Sequence, residues 1–437
     1  MTVHKATVKK LDRQQAFIEA FTETPVLKTA AEQAGIARRT IHEWITDDPA
    51  FKQAYTELRI SQEAQIVRQR KTSKNVYGLL FDDQKDMPDK GTFTEWRRKY
   101  IGRPVSEHQK ELVQAYEDRS NLVVFTLMPP GSGKDTTAGD FLLYETCDDR
   151  YLRTAWIMRG VDFAKRRVAE RLDPYLTNPR TYRDAPLGPD CTVPTGNLIE
   201  DYGPFKFKKG MVDREGNRCE PTTWTKTEIY FLKTGATEAD PSLWATGMEG
   251  QTYGSRVGLM VMSDVFDREN QLTVTKRESQ YQWVMGTAMS RLDSRGRLIF
   301  LGTRCLSGDN YERLMNAFVG EAPVVYQGRH YTKYANGVAV VIMPAIEHDA
   351  EGNEVSYWPD EFPLDSHFEL PDGTRILTED ADEAYLAQKY GGRVKRIRGL
   401  REIRERDRDL FDTMYQQKPP DEITGDFTDL TLDAADD

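Results

Sequence analysis

An α/β chain is predicted, with a mostly parallel sheet flanked by helices and a small all-α domain in front of it. Three observations carry that expectation. From residue 105 onward, short apolar runs alternate with helical stretches, the pattern of parallel strands joined by crossover helices. One of those runs, 122–127, leads into Pro130-Gly131-Ser132-Gly133-Lys134: a strand, a tight glycine turn and a lysine opening a helix. Ahead of this region, residues 10–60 read as helical throughout.

Within the helical front, Thr29–Trp44 fits a helix-turn-helix. Ala30, Ala31 and Ala34 are small enough for close helix crossing, and Gly35 suits a left-handed turn position. Ile36, Ile41 and Trp44 would fill the core of a tri-helical unit. The outer face of the second helix then offers Arg38, Arg39, Thr40, His42 and Glu43 to a DNA groove. A helical unit that binds only protein is the plainer alternative. Asp47-Asp48-Pro49 ends that helix, and residues 60–100 are rich in charge and turn residues. The front domain is therefore bounded at 1–72 and a linker at 73–104.

The glycine loop is the strongest chemical signal. Its glycines let backbone N–H groups point inward as an anion cradle. The helix from Lys134 turns its positive end toward phosphates, and the lysine reaches the β and γ oxygens of a nucleoside triphosphate. Pro130, Gly131, Ser132, Gly133, Lys134, Asp135 and Thr136 are the expected nucleotide-binding residues, with ATP and Mg²⁺ as the expected ligands. Two positions depart from the usual pattern: Met128 stands where it has Gly, and Asp135 where it has the Ser or Thr that holds Mg²⁺. Asp135 itself and Thr136 are both candidate metal ligands. A chance lysine on a surface turn would not bring a strand before it and a helix after it. Upstream, Gln109 could read adenine with an amide that both donates and accepts.

Thr154–Met158 reads as a second buried strand, Ala164–Leu176 as an amphipathic helix carrying Arg166, Arg167 and Arg171, and 178–226 as a long insertion. Strands return at Glu228–Leu232, Gly258–Met262 and Arg297–Gly302, with a long helix Glu269–Leu292 between the last two. The second of these ends in Ser263-Asp264, and an acid at a strand tip can hold Mg²⁺ while a neighbour orients water. Two assignments stay open. Asp264 is the magnesium acid with Asp267 or Glu269 as base, or Ser263 replaces that acid and Asp264 polarises water. An Asp that merely caps the turn is the plainer alternative. The third run ends in Gly302-Thr303-Arg304, where Thr303 has the chemistry to sense a γ-phosphate and Arg304 adds positive charge. From about 320 to 420 the segments shorten and end in a highly charged helix at 395–417. An ATPase core at 105–320, a completing subdomain at 321–427 and an acidic tail at 428–437 follow.

Composition narrows the class. At 437 residues the chain has room for two or three domains, no apolar run approaches membrane-spanning length, and the first residues lack the apolar core of a leader. Four scattered cysteines and six dispersed histidines argue against disulfides, zinc or a His-based metal site, and fit a reducing compartment. The net charge is −10, but the seven acidic residues after Pro420, with no Lys or Arg among them, carry −7 of it. Residues 1–72 carry about +3, so global acidity does not exclude DNA.

With these motifs in this order, the chain resembles the large terminase subunit of tailed bacteriophages, the ATPase that drives DNA into the procapsid. The resemblance runs from about 100 to 427. It rests on Gln109, the Pro-Pro-Gly-Ser-Gly-Lys loop, the Ala164–Arg171 helix, Gly247–Arg256 leading into the Asp264 strand, and Gly302-Thr303-Arg304 followed by Asp309. Met343–Ile346, Trp358–Phe362 and Tyr415–Pro419 look like the family's linker region. The resemblance implies a P-loop, RecA/ASCE-like fold with Lys134, Asp264, Thr303 and Asp267 as the catalytic set. Lys134 would stabilise charge on the γ-phosphate and Thr303 would couple hydrolysis to DNA gripping. Arg159, Arg256, Arg291 and Arg304 are candidates for an arginine finger, which a neighbouring subunit could also supply. The implied partners are double-stranded DNA, a portal protein and procapsid, and further copies in a homo-oligomeric ring, in the host cell cytoplasm without a membrane.

The resemblance has departures. Asp135 and Ser263-Asp264 replace the family's Ser/Thr and its pair of acids. Family members normally continue into an RNase H-like nuclease, whereas ten residues follow Phe427 here, so cutting is expected of a separate chain or a missing segment, and a small terminase subunit is a further expected partner. The helix-turn-helix looks like the DNA-recognition module of small subunits, which implies site recognition in cis. Two other readings remain: a helicase-like DNA-dependent ATPase, for which a single core is one too few, and a non-catalytic or ATP-switched DNA-binding adaptor.

Overall fold

The computed structural model describes residues 2–23, 27–55, 58, 88–177, 192, 194–209, 211, 219–233, 240–248, 250, 256–320 and 328–420. The acidic tail, residues 178–191, 193, 210 and 212–218 of the expected insertion and residues 73–87 of the expected linker lie outside these residues.

At the front, Thr2–Glu23 (α1), Leu27–Gln33 (α2) and Arg38–Asp47 (α3) form helices. Between α2 and α3 the chain turns at Gly35, whose φ of +64° is cheap only for a residue without Cβ. Phe17, Ala30, Ala31, Ile36, Ile41 and Trp44 close one buried cluster, so the small residues do sit at the crossing.

The remainder is built on an eight-stranded sheet: β1 (Val123–Leu127), β2 (Thr154–Met158), β3 (Glu228–Ile229), β4 (Leu243–Gly247), β5 (Val257–Ser263), β6 (Leu292–Gly302), β7 (His330–Lys333) and β8 (Val338–Ile342). The order is β3-β4-β2-β5-β6-β1-β8-β7; the six inner strands run parallel, and β3 and β7 pair antiparallel at the edges. Every residue of β1, β2, β4 and β8 is buried, because helices cover both faces and each strand must be apolar on both.

The helices that matter for the site are α4 (Phe93–Trp96), α5 (Lys110–Glu117), α6 (Lys134–Thr146), α7 (Val161–Arg167), α8 (Val274–Gln282) and α9 (Asn310–Val319). α6 packs Phe141 and Leu142 onto the face formed by Val124, Trp156, Val261 and Ile299. α9 packs Tyr311 and Leu314 onto the opposite face, formed by Phe125, Met260 and Phe300. The chain therefore leaves the adjacent strands β1 and β6 toward opposite faces, and a crevice opens at their carboxyl ends, where open α/β sheets bind ligands.

Several expectations are corrected. Residues 92–104, expected as linker, belong to the core: Phe93, Trp96 and Tyr100 are buried under α6. The expected long helix 269–292 is interrupted after Arg268–Gln271, where Thr273 caps α8 through Lys276 N–H. The expected helix 395–417 is a strand, Lys395–Ile397, and two short helices, Leu400–Arg406 (α10) and Arg408–Met414 (α11). Only Glu228–Ile229 of the expected 228–232 strand pairs, while β4, its neighbour, went unforeseen because Leu-Trp-Ala-Thr-Gly is too mixed to read as a buried run.

Candidate functional site

Three strand tips meet in the crevice. Lys134 follows β1, Thr303 follows β6 and Asp264 follows β5, with β6 lying between the other two strands. After β1, the Met128 N–H donates to the Gly302 carbonyl at 3.1 Å and the Thr303 hydroxyl donates to the Met128 carbonyl at 2.8 Å. The loop then turns through Gly131 (φ +80°) and Gly133 (φ +77°), both in the left-handed region. Gly133 is the N-cap of α6, and no side chain caps that end. A helix of 13 residues thus presents its first N–H groups and the positive end of its dipole to the crevice.

Lys134, 6% exposed, points its Nζ at Asp264 Oδ1, 3.3 Å away. Asp264 adopts φ +44°, one of two non-glycine residues with positive φ among those described. Asp tolerates that region better than most residues, and the turn aims its carboxyl back across β6. The cleft walls raise the Asp264 pKa by partial loss of water and by the Asp135 charge, while Lys134 and Arg167 oppose the rise and the side chain keeps 43% of its surface open to solvent. Asp135 accepts a hydrogen bond from the buried Ser263 hydroxyl and lies 3.4 Å from Arg167 Nη2. Two carboxylates, a lysine and an arginine therefore share one cleft, with Thr136 half-buried beside them.

The site's fit to Mg²⁺ rests on donor type. Among the described residues no three His, Cys, Asp or Glu side chains gather for a metal ion. Mg²⁺ asks for less: one or two carboxylates, phosphate oxygens and several waters. Asp135 and Asp264 meet that need. The Ser132 and Thr137 hydroxyls are buried without a partner among the described residues, an imbalance that a bound polyanion and its water would relieve.

Other candidates stand elsewhere. Asp267 caps the Arg268–Gln271 helix in a reciprocal box with Asn270 and accepts a hydrogen bond from Arg159, so the expected base has a structural job. Arg304, expected to add charge to the site, is fully buried between Asp309 (2.9 Å) and Glu312 (2.5 Å). Arg256 and Arg291 immediately precede β5 and β6, at the opposite edge of the sheet from the crevice. Of the four arginine-finger candidates, Arg159 and Arg304 follow strands (β2 and β6) at the crevice end, and of these two only Arg159 is exposed, at 43% of its side chain. On α3, the Arg39 side chain is 60% exposed and pairs with Glu43 (3.1 Å) and Asp372 (3.6 Å), and Thr40 is half-buried; the side chains of Arg38 and His42 lie outside the described set.

The segments Trp358–Phe362 and Tyr415–Pro419 stand out in the sequence, but their contacts with the loop and the β6 tip, and the part His108 plays there, do not. His108 Nε2 lies 3.0 Å from the Ser132 carbonyl and its ring stacks on Trp358 at 4.4 Å. A Cβ on Gly131 would sit 2.8 Å from the Phe362 ring. The C-terminal subdomain therefore packs directly on the glycine loop. Gln417, buried at φ +56°, accepts from the Arg304 N–H at 3.0 Å and ties residues 415–417 to the β6 tip. No sequence pattern announces these contacts. No helix among the described residues is long and apolar enough to cross a membrane. No protein-family model matches the chain, and no curated protein matches it.

Proposed function

We propose that the chain is the ATP-hydrolysing motor subunit of a phage terminase, which moves double-stranded DNA through a portal into a procapsid. The observation that carries the reading is the placement of Lys134 against Asp264 across the tip of β6, with Thr303 of that tip bonded to Met128 at the start of the loop. That arrangement suits a RecA/ASCE-like P-loop core. Lys134 and the N–H groups opening α6 hold the β and γ phosphates of ATP. Asp264, with Asp135 or Thr136, would hold Mg²⁺, which supplies charge neutralisation between the phosphate oxygens. Asp264 or a group it orients positions the attacking water, and Thr303 relates the state of the phosphates to the β6 tip. Arg159 is the finger candidate in cis. Arg39 on α3, with Arg38, Thr40 and His42, supplies the DNA-contacting face. A ring of identical subunits, a separate nuclease or small subunit, and a host cytoplasmic setting complete the reading.

One observation favours an ATP-switched adaptor as the second reading. Asp135 is held by Ser263 and Arg167, contacts that compete with a metal ion for its carboxylate oxygens. Hydrolysis measured with long duplex DNA and with single strands, in the presence and absence of portal and procapsid, separates these cases. The motor gives turnover stimulated by long duplex. A preference for single strands would favour the helicase-like reading, and ATP binding without turnover in every mixture would favour the adaptor.

A further inference from the structure

Gln109 stands in the sequence as an adenine reader, yet its amide is 5% exposed and is engaged at both ends. Its Nε2 donates to the Ser132 carbonyl at 3.1 Å, and its Oε1 accepts from Arg97 Nη1 at 3.1 Å. Arg97 is fixed in turn by Asp140 of α6, Nε to Oδ2 at 2.8 Å, and Arg103 holds the other side of the same carboxylate at 3.2 Å. Arg97 and Asp140 are all but fully buried, so this is a framework element and not a surface pair. His108 supplies a second contact to the same Ser132 oxygen. That oxygen can only accept, so the imidazole must carry its proton on Nε2. Burial holds the His108 pKa down to about 4, which keeps the ring neutral at pH 7.

The consequence follows from peptide geometry. In a trans peptide the C=O and the following N–H point in opposite directions. Two donors that pull the Ser132 carbonyl outward therefore turn the Gly133 N–H the other way, and the +77° φ of Gly133 allows that orientation. A carbonyl free to swing inward would put a negative dipole where a phosphate must sit. The close fit is visible at Gly133 itself, where a Cβ would meet Gln109 Nε2 at 2.8 Å.

We propose that His108 and Gln109 are positioning residues that hold the Ser132–Gly133 peptide in its phosphate-accepting orientation, with Asp140 and Arg97 orienting Gln109. The role rests on the triphosphate reading of the loop and replaces adenine recognition by Gln109. It predicts that the contribution of Gln109 is felt by any ligand with a triphosphate, with or without a base.

The test uses the full chain and two probes, ATP and inorganic tripolyphosphate, with binding measured by calorimetry. Gln109→Glu keeps a partner for Arg97 but cannot donate to Ser132. His108→Phe keeps the stack on Trp358 and removes the other donor, and His108→Gln restores an N–H. Gln109→Glu and His108→Phe each weaken both probes by the same factor, roughly tenfold for a lost buried hydrogen bond. His108→Gln recovers most of the loss, and the preference for ATP over GTP does not change. Should Gln109→Glu not fold by thermal melting, the two His108 variants carry the same comparison. Weakened ATP with unchanged tripolyphosphate would overturn the proposal in favour of a base reader. If the unaltered chain binds neither probe, the triphosphate reading fails and the positioning role falls with it.

Discussion

The Thr303 hydroxyl donates to the Met128 carbonyl at 2.8 Å, so the tip of β6 is fastened to the first residue beyond β1. A residue proposed to sense the phosphates is thereby also a strut of the loop proposed to hold them. Thr303→Val keeps the branched shape and leaves the carbonyl without that donor. Such losses are worth about 1–3 kcal/mol, so steady-state turnover should fall roughly 5- to 100-fold while ATP binding by calorimetry changes little. Unchanged turnover would remove Thr303 from the machinery.

Asp264 is best tested by Asp264→Asn, because Asn accepts its positive φ and the turn survives. The variant should bind ATP yet lose Mg²⁺-dependent hydrolysis by roughly a hundredfold or more, in a phosphate-release assay. Activity within a few-fold of the parent would make Asp264 a turn-forming residue and no more.

His108 gives a pH signature. Its folded pKa is depressed to about 4 from 6.5, so the unfolded chain takes up the proton first. Stability from this group is intact above about pH 6.5 and is lost as the pH falls through that window, by about 3 kcal/mol at most. Urea unfolding at pH 7 and pH 4.5 should show a smaller acid loss in His108→Gln than in the parent. Equal losses in the two chains would contradict the depressed value.

Gly302 separates packing from chemistry in the Gly-Thr-Arg tip. A Cβ there would lie 2.1 Å from the fully buried Tyr311 ring, whose hydroxyl donates to the Leu301 carbonyl at 3.3 Å. Gly302→Ala should destabilise by about 1–3 kcal/mol in urea titration. A neutral effect would mean that the β6–α9 contact is looser than described.

Arg304→Ala should act on folding. It strands the buried Asp309 carboxylate, which costs about 3–5 kcal/mol when a buried partner is removed. A variant of parental stability whose turnover alone collapses would instead restore Arg304 to the arginine-finger candidates.

The strand tips were legible because each joins an apolar run to one reactive residue, a pattern local in the chain. What failed was tertiary. Residues 92–104 read as linker because Arg97, Arg98 and Lys99 hide the stripe of Phe93, Trp96 and Tyr100, and Arg97 is buried only because Asp140 waits on α6. The 395–417 segment read as one helix, yet Gly399 is pressed against the Leu364–Ser366 backbone, within 2.5 Å of where a Cβ would be. Gln109 is expected from the sequence to read adenine, whereas the partners of its amide in the structure, Ser132 and Arg97, are set by the fold. Asp267, a candidate base on the sequence, caps the Arg268–Gln271 helix, a contact that rests on backbone geometry absent from the sequence.

The proposed activity is that of a Lys134-dependent nucleotide engine that works on duplex DNA. Its most direct test is steady-state ATP hydrolysis by the purified chain and by Lys134→Ala, with Mg²⁺, with and without long double-stranded DNA. The expected result is turnover that duplex DNA stimulates and that Lys134→Ala abolishes without a change in thermal melting. Normal turnover in Lys134→Ala would contradict the assignment of the loop and the function built on it.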